Sequence, residues 1–193
     1  ALMVGSMGSG KSTLLKKTVL DTAMKGNKDR IIDVTGEFGE LVNQLGGKQI
    51  ALDGSEGIIN PLEVFRTVVN EDGTTNEELS FTQHLSKLTV FYNYLKPSAD
   101  SDEKSTFSLL LRKLYVEYGM WSEEKEHSIS ITSFQSEKYP TFSALLNLVR
   151  KSLYEDFSKK IIHSYLGEDE AARISRIELT IENLVKNYGK IFD

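Results

Sequence analysis

Apolar positions fall into two textures along the chain. Up to Leu52, short apolar runs alternate with amphipathic segments. Leu2, Met3 and Val4 form a run, glycines follow, and Leu15, Val19 and Ala23 then recur at four-residue spacing within Lys11 to Lys25, where Gly26-Asn27 supplies a stop. Two isoleucines lead into Asp33 in a second run, Arg30 to Val34. Phe38, Leu41, Val42 and Leu45 then take the i, i+3, i+4, i+7 spacing of a short helix that Gly46-Gly47 ends, and Gln49 to Leu52 reads as a third strand. Strands and helices in alternation predict a parallel sheet.

Beyond Asn60-Pro61 the period becomes helical throughout. Phe81, Leu85, Leu88, Tyr92 and Leu95 predict one helix, closed by Lys96-Pro97. Phe107, Leu111, Leu114 and Tyr118 predict a second, broken at Gly119. Phe142, Leu146, Val149, Leu153 and Phe157 predict a third, opened by Pro140-Thr141, and Ile174, Ile177, Ile181, Leu184 and Tyr188 a fourth. The polar, acidic stretches Asn70 to Glu78 and Ser122 to Lys138 read as loops. The aromatic residues on the helical stripes read as bundle core and not as a stacking face for nucleic acid.

Composition narrows the chemistry. Hydrophobic content of 39% and charged content of 26% in 193 residues describe a folded domain, or one domain carrying an insertion. Lys and Arg number 23 against 28 Asp and Glu, for a net charge of -5, and no long basic run occurs, so direct DNA binding by this segment is not expected. Cysteine is absent, which excludes disulfides, thiolate metal sites and thiol nucleophiles. His84, His127 and His163 lie apart, without the spacing of metal ligands. No apolar run approaches the roughly 20 residues that span a bilayer.

One contiguous stretch carries specific chemistry. Gly5-Ser6-Met7-Gly8-Ser9-Gly10-Lys11-Ser12 satisfies the pattern GxxxxGK(S/T) between an apolar run and a helix. Glycines let the backbone curl without Cβ clashes, so that successive N–H groups and the helix N-terminus aim at one anion. Gly5, Gly8, Ser9, Gly10, Lys11, Ser12 and Thr13 are therefore the candidate nucleotide-binding residues. Lys11 reaches the β- and γ-phosphates of ATP, Ser12 supplies a hydroxyl to Mg²⁺, and Thr13 either bonds the α-phosphate or simply starts the helix. An ATP site of this kind points to the cytoplasm. Hydrolysis also needs a carboxylate at a strand end. No run of four apolar residues ends in Asp or Glu, and the nearest candidates are Asp33, at the C-terminal end of its predicted strand, and Glu37; otherwise Asp33 ends a strand and Glu37 opens a helix.

The segments GSMGSGKSTLLKK, RIIDVTGEFGELVNQLGGKQIALDG and GIINPLEVF together resemble the conjugation ATPases of type IV secretion systems, the VirB-four family within the FtsK and HerA division of P-loop motors, especially members from Gram-positive conjugative elements. The resemblance rests on specific motifs over the front 66 residues and on architecture beyond them. It implies an α/β fold: a partial RecA-like P-loop core with parallel strands over residues 1–66, a mostly α-helical insertion over 67–188, and a return to the core at 189–193. It further implies that the chain is a fragment, that the second acidic motif and any arginine finger lie downstream, and that the whole protein is an ATPase acting as a homo-oligomer, a hexameric ring in that family. Its partners would be other secretion components at the inner face of the membrane. The residues leave two other readings open. One is a nucleotide-gated assembly module without turnover; the other is a small-molecule kinase, although Arg66, Arg112, Arg150, Arg173 and Arg176 are scattered and read as solvated helix residues.

Overall fold

The computed structural model describes residues 4, 6, 8–27, 29–51, 55, 58–122 and 130–193. The chain divides into two compact units, Ala1–Ala51 and Leu52–Asp193. In the first, helix α1 spans Lys11–Met24 and helix α2 Gly39–Gln44, close to the positions that their apolar spacing predicts. Val19 and Ala23 on the α1 stripe are half-buried, whereas Leu15 remains 42% exposed.

The expected parallel strands are not formed among the described residues. Leu2, Met3 and Leu52 lie outside them, and 30–34 and 49–51 run without strand pairing. Ile32 and Val34 stand 93% and 92% exposed. A strand exists only as one side of a hydrogen-bonded ladder, and among the described residues no second strand lies alongside these to complete one.

The core sits in the second unit. Helices α3 (Glu77–Leu95), α4 (Ser101–Glu117), α5 (Phe142–Leu153) and α6 (Glu168–Phe192) pack around it. Their starts are locally encoded. The Asn76 side chain accepts from the Leu79 amide at 2.9 Å and Asp100 from the Glu103 amide at 2.7 Å, while Glu77, Glu78, Asp102 and Glu103 complement the helix dipoles. Phe81, Leu85, Leu88 and Tyr92 from α3 meet Phe107, Leu111 and Leu114 from α4, with Tyr92 stacked on Phe107 at 4.3 Å between ring centroids. Leu146, Val149, Ile177, Ile181 and Leu184 continue the same cluster, and Leu62 and Val64 reach it from the segment before α3. Each such side chain contributes roughly 1.5–3 kcal/mol on burial.

The third predicted helix stops early. Its apolar spacing runs on to Phe157, but α5 ends at Leu153, and residues 154–162 form an antiparallel hairpin of β1 (Tyr154–Asp156) and β2 (Ile161–Ile162). Tertiary contacts override the period. With φ -111° and ψ 132°, Tyr154 turns its hydroxyl to Glu178 on α6 at 2.9 Å, and the Phe157 ring slides under Arg150, whose guanidinium lies 4.5 Å from its centroid.

A buried polar chain ties the incoming segment to the bundle. Tyr115 Oη donates its one proton to the Leu62 carbonyl at 2.6 Å, so it accepts from His84 Nε2–H at 2.9 Å, which fixes the neutral imidazole tautomer. Burial, and then the charge of Lys87, depress His84 from 6.5 to about 4. The unfolded chain binds more protons between those values, so stability is complete above about 6.5 and falls as the pH drops toward about 4, by up to about 1.4 kcal/mol per pH unit. Urea unfolding across that window should show this slope, and His84→Gln should remove it.

Candidate functional site

The candidate site is assembled at the start of α1. Gly8 and Gly10 both take φ 81°, in the left-handed region, and no atom lies within 4 Å of where a Cβ would stand on either. A side chain there would strain the backbone and fill the open face of the loop. The Ser9 amide donates to the Ser6 carbonyl at 3.3 Å, closing the turn, and Leu14 N–H to the Gly10 carbonyl at 3.0 Å begins the helix. Gly5 and Met7 lie outside the described residues.

Gly10 occupies the N-cap and offers no side chain to the first turn, which carries no acidic residue. The positive end of the helix dipole is therefore uncompensated by any carboxylate of that turn, and the amides of Ser12 and Thr13 hold positions for which an α-helix supplies no acceptor. Lys11 Nζ folds back over the loop, donating to the Ser6 carbonyl at 2.6 Å and to Ser9 Oγ at 3.5 Å. Ser12 is half-buried and Thr13 exposed. An open glycine turn, an uncapped helix start and an ammonium group at its mouth fit a phosphate chain in shape and charge.

The second group of candidates forms its own turn. Asp33 Oδ1 accepts from the amides of Thr35 at 3.2 Å and Gly36 at 2.9 Å, and Oδ2 from the Phe38 amide at 2.8 Å. The Phe38 amide first, then those of Gly36 and Thr35, hold the carboxyl below its usual range. Asp33 thus shapes residues 33–38, a role that the sequence signals as Asp-x-Thr-Gly, an Asx-turn pattern. Glu37 rides exposed on this turn. Phe38 brings the turn beside α1, where Lys16 Nζ lies 5.9 Å from its ring centroid, and with Leu15, Val19 and Ile31 it lines a cavity of about 350 Å³.

Among the described residues no group of three His, Cys, Asp or Glu side chains could hold a metal ion. The Ser12 hydroxyl could serve Mg²⁺ only together with phosphate oxygens, which is the usual arrangement for that ion. Asn60, for which the sequence suggests only a capping role, does more. Its Oδ1 accepts from the Leu62 amide at 2.9 Å and its Nδ2 donates to the Pro140 carbonyl at 2.9 Å, which pins the segment before α3 to the approach of α5.

No protein-family model matches the chain. Over 97% of its length it superposes on VirB4 of Thermoanaerobacter pseudethanolicus with a TM-score of 0.67 and 21% sequence identity. The chain has the fold of a VirB4 segment. This agrees with the family resemblance carried by the motifs around Lys11, Asp33 and Asn60. An uncharacterized protein of Bacillus anthracis, pXO2-09, is 29% identical over 197 aligned residues, 98% of this chain. The chain spans 44% of the VirB4 chain and 29% of the Bacillus anthracis protein.

Proposed function

We propose that the chain is the ATP-binding part of a VirB4-like conjugation motor of a type IV secretion system, in which residues 1–66 belong to a RecA-like parallel core, 67–188 to a helical insertion and 189–193 to the return into that core. The observation that supports this most is the open left-handed loop over an uncapped helix start, with Lys11 at its mouth, in a chain of VirB4 fold. The amides of Gly8 to Thr13 bind phosphate oxygens, Lys11 neutralises the β- and γ-phosphates, and Ser12 holds Mg²⁺. When bound, Mg²⁺ would supply further positive charge to the phosphates, held by the Ser12 hydroxyl together with phosphate oxygens. The electrostatic clamp lowers the cost of charge that develops as the terminal phosphate departs. Asp33 acts as a positioning residue by building the 33–38 turn, and Glu37, exposed on it, is the carboxylate that orients the attacking water.

In the complete protein this machinery is an ATPase that works as a homo-oligomeric, hexameric ring with other secretion components at the inner face of the membrane. No helix among the described residues is long and apolar enough to cross the membrane. A second reading, a nucleotide-gated assembly module without turnover, is favoured by the engagement of both Asp33 oxygens in their own turn.

Calorimetric titration of the chain with ATP and Mg²⁺ should give one site of roughly micromolar affinity, about -8 kcal/mol. Absence of binding up to about 1 mM would overturn both readings. Binding without hydrolysis by the complete protein would select the gated module.

A further inference from the structure

Within the second unit, a cleft of about 250 Å³ lies between α3 and the segment that leads into it. Two periods build it. Leu62 and Val64 turn into the core, so the alternate residues Glu63 and Phe65 face the other way and line the cleft. On α3, His84, Lys87, Leu88 and Phe91 take the i, i+3, i+4, i+7 spacing of one helix face and supply the other wall. Two polar groups of this cleft have no protein partner. His84 is 8% exposed and its Nε2–H is engaged by Tyr115, so Nδ1 is a lone-pair acceptor, and no described residue donates to it. Among the described residues the buried polar side-chain atoms without a hydrogen bond are Trp121 Nε1 and Arg173 Nε. His84 Nδ1 is not one of them and therefore reaches open space, which at His84 is the cleft. Lys87 is exposed, and its ammonium is paired with no described residue. Glu63, by contrast, is already bonded to Ser136 Oγ at 2.8 Å and calls for no cation.

We infer that the cleft receives a tryptophan side chain of a partner protein, its indole N–H donating to His84 Nδ1 and its ring packed against Phe65, Phe91 and the Lys87 ammonium. Size is the first reason. Sites for free small molecules run from about 300 Å³ upward, so this smaller cleft suits one large side chain. Polarity is the second. The imidazole is neutral and offers a lone pair, which repels an anion and matches a donor. Indole is a donor with no acceptor atom, so one bond satisfies it, and its π face is the best aromatic partner for an ammonium. Tryptophan is also enriched among the residues that anchor interfaces from buried pockets. The anchor belongs to a different polypeptide, because Trp121 is the only tryptophan of this chain and packs against Phe81 with 4.5 Å between ring centroids. A single lysine beside a neutral ring is too little charge to hold nucleic acid.

This site is independent of the nucleotide site and is tested without it. In the 193-residue chain carrying isotope-labelled histidine, N-acetyl-tryptophanamide should shift the His84 ring nitrogens saturably in NMR spectra, with a dissociation constant between about 0.1 and 1 mM, while the exposed His163 stays in place. The analogue methylated on the indole nitrogen keeps the ring and loses the donor, and should bind at least about tenfold more weakly. Phe65→Ala should weaken binding of the unmethylated probe about fivefold through lost ring contact, and Lys87→Gln about threefold. Both side chains are exposed, so the melting curves of these variants should match that of the native chain. No saturable shift of His84 up to about 10 mM probe, equal affinity for the methylated analogue, or an affinity unchanged in both variants would each overturn the inference.

Discussion

Lys11→Ala is expected to lower ATP affinity by at least about 100-fold, a loss of about 2.7 kcal/mol. The argument rests on where the ammonium sits. Lys11 Nζ lies over the loop against the Ser6 carbonyl at the start of α1, and in the proposed nucleotide complex it faces phosphate oxygens instead of a neutral carbonyl. Hydrogen bonds between charged groups contribute roughly 1.5–3 kcal/mol each, and Lys11 can reach two phosphates. Its contribution to the fold is smaller by comparison: the bond to Ser6 is exposed to water, and its loss costs at most about 1 kcal/mol. Affinity and stability should therefore separate. Calorimetric titration and a thermal melt of the same variant measure the two quantities. Unchanged affinity would remove Lys11 from the site, and a collapsed melt would make it a folding residue.

How much of this was legible in the sequence depends on the distance over which each feature is encoded. The glycine turn at the start of α1 was legible because its parts are contiguous: Gly8, Gly10 and Lys11 make one turn and one helix start. The helices of the second unit were equally legible, since Asn76 and Asp100 cap them locally and their apolar stripes are long. The strands expected at 30–34 and 49–52 were not, because pairing is a property of two segments and a run of isoleucines specifies only one. The hairpin after Leu153 was hidden for a related reason. Its cause is a hydroxyl reaching Glu178 on another helix, while the local period still reads helical. Long-range polar contacts were the least visible of all. Asn60 and Pro140 are 80 residues apart, and Arg176 and Glu103 are 73 apart. Asp33 lies between these extremes: its turn has a local signature, but that signature reads equally well as the end of a strand.

The Arg176–Glu103 contact carries the largest expected effect on stability. Glu103 is buried on α4, and its carboxylate accepts from Tyr92 Oη at 2.6 Å and Lys96 Nζ at 2.7 Å at the α3 end, and from Arg176 Nε at 2.6 Å on α6. Three helices thus meet at one charge. Glu103→Leu should destabilise the bundle by about 1–3 kcal/mol, because it takes the charged acceptor from the buried Tyr92 hydroxyl and from Lys96 and Arg176, which are partly exposed. Glu103→Gln keeps the shape and removes the charge, and so should cost less at pH 7. The dependence on pH distinguishes charge from packing. Burial pushes the Glu103 carboxyl up, but the hydrogen bonds from Arg176, Lys96 and Tyr92 outweigh it and hold the group below its ordinary value of 4.5. The unfolded chain therefore takes up this proton first as the pH falls. The contribution of the charge is complete above about 4.5 and disappears as the pH drops through the lower folded-state value. In urea unfolding, the gap between the native chain and Glu103→Gln should be wide at pH 7 and narrow steadily as the pH falls below about 4.5. A gap of constant width would mean that Glu103 holds the three helices by its shape and not by its charge.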